Sequence, residues 1–199
     1  MAEHYFSANP GSKHDFQELK AELRGMELRF KSDAGVFSKS KIDLGTKLLL
    51  KAVPQISGSK RILDLGCGYG VIGITVAKMF PESTVYMGDI NERAVQLTNE
   101  NAVLNGVTNV IVKPGEGFEP FTGLSFHLIL TNPPIRAGKQ VIYRLVDEAH
   151  LALEPGGWLA AVILTRQGSQ SLAKKMEERF GNVIEWEKGS GYRVLASQK

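Results

Sequence analysis

The chain has 199 residues, 24 Lys/Arg against 21 Asp/Glu, and a formal net charge of +3. Its length allows one domain with a sizeable core, and 43% hydrophobic with 23% charged residues is ordinary for a soluble globular protein. No apolar run reaches the ~18 residues of a membrane span, and "MAEHYFSANPGSKHDF" has neither the basic nor the apolar region of a secretory signal. The single cysteine, Cys67, excludes an internal disulfide and fits a reducing cytosol.

Residues 16–37 predict a β-hairpin. Leu19, Ala21 and Leu23 alternate with charged residues, and after Arg24-Gly25 the alternation resumes with Met26, Leu28 and Phe30. Residues 43–53 predict a helix stopped before Pro54. From residue 61 short apolar runs alternate with helical stretches: strand 61–65, helix 71–80, strand 84–89, helix 91–104, strands 109–113 and 126–130, helix 138–153, strand 158–164 and helix 169–180. Two final strands, 182–188 and 192–197, are joined by Gly189-Ser190-Gly191. Strand–helix alternation implies a parallel sheet covered on both faces. The last link is too short for a parallel crossover, so those two strands form an antiparallel hairpin at one edge. The expected fold is α/β: a doubly wound, mostly parallel, Rossmann-like sheet of seven strands with a C-terminal antiparallel hairpin and a small N-terminal hairpin extension. Ligands of such sheets sit at the carboxyl ends of the strands.

"LDLGCGYGVIG" joins the first strand of this sheet to its helix. Two readings compete. Gly68-x-Gly70-x-x-Gly73 matches the dinucleotide fingerprint, with Asp89 in place 21 residues after Gly68. Alternatively, Asp64-x-Gly66-x-Gly68-x-Gly70 resembles the glycine loop of class I methyltransferases that use S-adenosylmethionine (SAM). A carboxylate at the strand end is unhelpful beside a pyrophosphate but suits a cationic ligand without phosphate. Asp64 therefore favours the second reading. Residues 61–135 agree, carrying four Lys/Arg against seven Asp/Glu, while each flank has ten against seven. Under this reading Asp89 accepts bonds from the ribose hydroxyls, Ile90 packs on the adenine, and Glu116 reaches the same rim near the adenine amine. Cys67 is a small loop residue with no base partner to make it a nucleophile. There is no CxxC, HExxH or other paired ligand spacing, so no metal is expected.

The strand at 126–130 ends in Asn132-Pro133-Pro134-Ile135. Two prolines cannot continue a central strand. In this place the tetrapeptide resembles the Asn/Asp-Pro-Pro-x signature of methyltransferases that modify an amino nitrogen. An exocyclic amine on a base, or a side-chain amide, is a poor nucleophile because its lone pair is delocalised. The Asn132 carbonyl and a main-chain carbonyl from the prolines can accept its two N–H groups and stabilise charge developing on nitrogen. Rigid prolines keep those acceptors in place. Ile135 stands where relatives commonly carry an aromatic residue that stacks on the base.

"GVFSKSKIDLGTKLLL" (35–50), "ILDLGCGYGVIGI" (62–74), "NPPIRAGK" (132–139), "LEPGGWLAAVI" (153–163) and "GYRVL" (191–195) together resemble the catalytic domain of small-subunit ribosomal RNA guanine-N2 methyltransferase C and its stand-alone, single-domain relatives. The resemblance implies a hairpin extension over 1–42 and a SAM-dependent methyltransferase domain over 43–199. It also implies that Phe37 and Asp43-x-Gly45-Thr46 close over the methionine end of SAM. Ribosomal RNA or the small ribosomal subunit is the implied partner, with no membrane and no obligate protein partner. Arg136, Lys139, Arg166 and Arg193 are candidate RNA contacts. A glutamine amide or adenine N6 remains as the alternative acceptor, and a non-methylating NAD binder as the outside alternative.

Overall fold

The computed structural model describes residues 11–134 and 138–199. A two-stranded hairpin, β1 (Gln17–Leu23) and β2 (Met26–Ser32), comes first. Its turn residues Arg24 and Gly25 both have positive φ, 55° and 76°, the twist that matches a right-handed hairpin. Leu23 pairs with Met26 and Gln17 with Ser32. The chain then runs α1 (Leu44–Ala52), β3 (Arg61–Leu65), α2 (Val71–Met79), β4 (Thr84–Asp89), α3 (Glu92–Leu104) and β5 (Val110–Pro114). A short 3-10 turn at Glu119–Phe121, not foreseen from the sequence, leads to β6 (Phe126–Thr131), α4 (Lys139–Ala152), β7 (Leu153–Leu164), α5 (Ser169–Phe180), β8 (Ile184–Gly189) and β9 (Tyr192–Gln198).

The main sheet has seven strands in the order β5-β4-β3-β6-β7-β9-β8. The first five are parallel, and β9 is antiparallel to both β7 and β8. The chain fills one side of β3 with β4 and β5, then returns to its other side with β6. That reversal makes the crevice at the carboxyl ends of β3 and β6 the natural ligand site.

Alternate residues of each strand feed two cores. Ile62, Leu128, Leu130, Ala160 and Val162 face α1, α2 and α3, with Leu28 and Phe30 of the hairpin in the same cluster. Leu63, Ile129, Ala161 and Ile163 face α4 and α5 through Ile142, Val146, Leu172 and Met176. Large buried side chains of this kind contribute about 1.5–3 kcal/mol each.

β7 begins at Leu153, five residues earlier than its apolar run suggests. Leu153 pairs with Phe126, and a register shift follows before Trp158 meets Leu128. The intervening Gly156 N–H donates to Lys199 O, and Gly157 O accepts from Lys199 N–H. β7 continues through "EPGG", with Gly156 at a φ of 79°, because the Lys199 backbone supplies partners on the β9 side.

Candidate active site

A cavity of about 620 Å³ opens at the carboxyl ends of β3, β4 and β6. Its size suits a small-molecule site. Phe37, Asp43, Thr46, Gly66, Cys67, Gly68, Asp89, Ile90, Glu116, Asn132, Pro133 and Pro134 all line it. Gly45, Asp64 and Gly70 stand behind the wall, outside the lining. Among the described lining residues four carry carboxylates, Asp43, Asp89, Glu116 and Glu148, and one, Arg144, carries a guanidinium. These acceptors suit a cationic ligand that presents hydroxyl and amine groups.

Gly66, Gly68 and Gly70 hold the loop with φ of 74°, 56° and 93°, which residues with a Cβ adopt at a cost. Asp89 ties this loop to β4. Its Oδ2 accepts from Gly68 N–H at 2.8 Å and its Oδ1 from Asn91 N–H at 2.9 Å. Asn91 caps α3 through Arg93 N–H and Ala94 N–H, so capping falls to Asn91 and leaves Asp89 facing the cavity. Burial holds the Asp89 carboxyl above its ordinary value, opposed by the two backbone N–H groups.

Asp64 lies under the loop rather than in it. It is fully buried on the α2 side of β3, where Oδ2 accepts from Gly73 N–H at 2.8 Å. Oδ1 has no partner among the described residues. Burial raises its carboxyl to about 7, the Gly73 N–H opposing and the nearby Asp89 charge reinforcing. Gly73 lets α2 come this close, since a Cβ there would stand 2.0 Å from Met87 Sδ. The Cys67 thiol is buried beside Thr98 Oγ1 and pushed well above its ordinary value, so it stays a neutral wall group.

The end of β6 carries the geometry that matters most. Asn132 Nδ2 donates to Asp43 Oδ2 at 3.0 Å and to Thr46 Oγ1 at 3.1 Å. Reversing the amide would press its oxygen against the Asp43 carboxylate, so the orientation is fixed. Both Nδ2 hydrogens are thereby engaged, and Oδ1 is left as a hydrogen-bond acceptor. Asp43 is also the N-cap of α1, accepting from Thr46 N–H at 3.0 Å. Tyr192 Oη, at the start of β9, donates to Asp43 Oδ1 at 3.0 Å.

The segment carrying Val36, Phe37 and Ser38 forms another wall. Arg93 donates to Ala34 O, Asn91 Nδ2 to Gly35 O, and Tyr69 Oη to Ser38 O. The start of α3 and the glycine loop thus hold this segment over the strand ends.

Among the wall residues not read as functional from the sequence are Tyr192, Arg144, Glu148 and Gln167. Arg144 ion-pairs with Glu116 and lies 3.5 Å from Glu148, so Glu116 enters the cavity already partly neutralised. The i, i+4 spacing of Arg144 and Glu148 was the only signal, and it reads equally as a solvated helix face. Lys139 lies outside this cavity but lines a second one, of about 350 Å³, that shares Gln167 with it. Arg166 is exposed beyond β7 and outside both linings. Arg193 pairs with Glu185 at 2.6 Å, leaving less of its charge for a phosphate. Ile135 and Arg136 lie outside the described residues.

Residues 27–196 match the model of the methyltransferase small domain family. The chain belongs to that family. It is 42% identical over 202 residues to an uncharacterized protein of Bacillus subtilis (strain 168), YbxB, with all of both chains covered. It is 35% identical over 152 residues to ribosomal RNA small subunit methyltransferase C of Vibrio cholerae, covering 73% of this chain but 44% of that protein. Among solved structures it resembles the Thermus thermophilus 16S rRNA N2 G1207 methyltransferase RsmC, in complex with AdoMet and guanosine, at TM-score 0.83 and 27% identity. That match covers 92% of this chain and 50% of the other. The chain thus spans about half the length of its named methyltransferase C relatives, and the small-domain family accounts for nearly all of its described fold.

Proposed function

We propose that the protein transfers a methyl group from SAM to an exocyclic amino nitrogen, with guanine N2 of small-subunit ribosomal RNA as the acceptor. One observation carries this reading: the Asn132 amide is locked with its nitrogen on Asp43 and Thr46, which leaves Oδ1 to receive an N–H. An incoming planar NH₂ needs acceptors, not donors, and this wall supplies one on a rigid Asn-Pro-Pro turn. The RNA part of the reading draws support from the named methyltransferase C relatives.

The residues present fit the cofactor. Asp89 offers carboxylate lone pairs to ribose hydroxyls, and the glycine loop lets a ligand approach the backbone closely. The acid-rich wall offsets a ligand's positive charge. Bound there, SAM supplies a methyl group on a sulfonium. The protein then holds the acceptor nitrogen, aims its lone pair by engaging an N–H, and stabilises the charge that grows on nitrogen. The Pro133 and Pro134 backbone keeps these groups from reorganising. A guanine within RNA must be presented from a loop or flipped out to reach this depth.

The deciding experiment is tritiated methyl transfer from SAM to ribosomal RNA of a deletion strain, followed by nucleoside analysis. N2-methylguanosine is expected. N6-methyladenosine, or label in a protein glutamine, redirects the acceptor. Calorimetric binding of NAD without binding of S-adenosylhomocysteine overturns the reading.

A further inference from the structure

Asp43 receives donors from three parts of the chain: Thr46 N–H from its own helix, Asn132 Nδ2 from the end of β6, and Tyr192 Oη from β9. The first two converge on Oδ2, whereas Tyr192 takes Oδ1. A helix N-cap carboxylate needs only one oxygen for capping, so the Tyr192 bond is additional to what α1 requires. Its effect is to fix rotation about the Asp43 Cβ–Cγ bond. With that rotation fixed, Oδ2 faces Asn132.

We propose that Tyr192 is a positioning residue for the amine acceptor: its hydroxyl clamps Asp43, and Asp43 in turn keeps the Asn132 nitrogen turned away from the incoming NH₂. This rests on the amino-methyltransferase reading above. Without the clamp the carboxylate turns as an ordinary exposed cap does, and the Asn132 amide gains freedom to present its own N–H groups. A donor facing a donor repels the acceptor amine instead of steering it.

Two further features fit this role. The absence of a side chain at Gly45 makes room for the phenol ring; a Cβ there would stand 2.7 Å from Tyr192 Cδ1 and Cε1 and 2.8 Å from Asp43 Oδ2. Gly45 is therefore a spacer for this pair, which explains its place behind the cavity wall. Burial and the Asp43 charge raise the Tyr192 phenol above its ordinary value, so the hydroxyl keeps its proton and remains a donor. Thr165 N–H donates to Gly191 O, pinning the turn that delivers Tyr192.

The test is Tyr192→Phe in the full chain, which keeps the ring and removes one hydroxyl. Methyl-acceptor turnover is expected to fall about ten-fold while S-adenosylhomocysteine affinity stays within about two-fold. Hydrogen exchange of the Asn132 side-chain amide, followed by nitrogen-15 NMR, is expected to speed up about ten-fold. Tyr192→Phe added to Asn132→Ala is expected to cost no further turnover, because the group it positions is gone. Unchanged amide exchange, unchanged turnover, or a further loss in the double variant overturns the proposal. The exchange measurement needs no substrate. If Tyr192→Phe loosens the Asn132 amide in a protein that methylates no amine, the functional reading fails and the clamp stands.

Discussion

The Asn101 side chain faces Lys31 as a neighbouring strand would: Nδ2 donates to Lys31 O at 2.9 Å, and Oδ1 accepts from Lys31 N–H at 2.7 Å. One helical turn on, Asn105 repeats the exchange with Arg29. Two carboxamides at i, i+4 on α3 thus cover the open edge of β2, an edge that otherwise invites pairing with another chain. Asn101 is fully buried, and its Nδ2 also donates to Tyr69 O in the glycine loop. Asn101→Ala removes this partner from Lys31 N–H, Lys31 O and the buried Tyr69 O. We expect a loss of about 2–4 kcal/mol, read as a lowered urea midpoint. A change below ~0.5 kcal/mol would show that the hairpin docks by its apolar face alone.

Asn132→Ala removes the acceptor and should lower turnover about 10²–10³-fold, with the fold and S-adenosylhomocysteine affinity retained. Normal methylation by this variant removes the assigned mechanism. Asn132→Asp makes a sharper test. A carboxylate there meets Asp43 where an amide nitrogen now lies 3.0 Å from it. Two such acids cannot both ionise, so one takes a proton at a raised pKa. Once protonated, the substituted acid donates to Asp43 and presents its carbonyl as the Asn132 amide does. Activity of this variant relative to the parent should therefore rise as pH falls from about 8 to 6. A flat ratio contradicts the arrangement.

Asp89 joins the loop to the cavity, so Asp89→Asn loses charge on both. We expect S-adenosylhomocysteine to bind about 10–100-fold more weakly by calorimetry. The Asp89 carboxyl titrates above the ordinary range. Binding by the parent should accordingly weaken, as pH falls, sooner than an exposed carboxylate would allow. Equal affinity in the variant excludes Asp89 as a ligand contact.

Asp64 sets a pH dependence of stability. Its carboxyl is raised to about 7 in the folded chain from 3.8. The folded state therefore holds the proton more tightly than the unfolded state. The stability that Asp64 contributes is fullest at low pH, declines as pH rises between the two values, and levels off above the upper one. The full span corresponds to roughly 4 kcal/mol. Asp64→Asn imitates the protonated acid. Its advantage over the parent in the ligand-free protein should grow across that window and then hold constant, as read by urea unfolding at a series of pH values. A constant difference at every pH means that Asp64 is already ionised.

The elements were legible because each is local. Alternation marks the hairpin, short apolar runs mark the strands, and Gly189-Ser190-Gly191 forces β8 and β9 to be antiparallel. The glycine loop and Asn-Pro-Pro stood out as motifs for the same reason, and residues of both line one cavity. What sequence spacing does not give is the company these residues keep. Tyr192 lies 149 positions from Asp43, and Asn132 lies 89 from it; only the strand order brings them together. Asp64 reads as a ligand carboxylate at a strand end. Period-2 alternation puts it on the same sheet face as Ile62, and so beneath α2.

The strand order also bears on how the chain folds as it is made. β9 is built last of the nine strands yet lies between β7 and β8. Until it arrives, β7 ends the sheet with an unsatisfied edge and β8 has no strand to pair with. A nascent chain that stops before Tyr192 can complete the glycine loop and its surrounding parallel strands, because β3, β4, β5 and β6 pair without β9. It lacks the hydroxyl that holds Asp43. The glycine loop and the Asp43 clamp are thus completed at different moments of synthesis, the second only with the inner strand that closes the sheet.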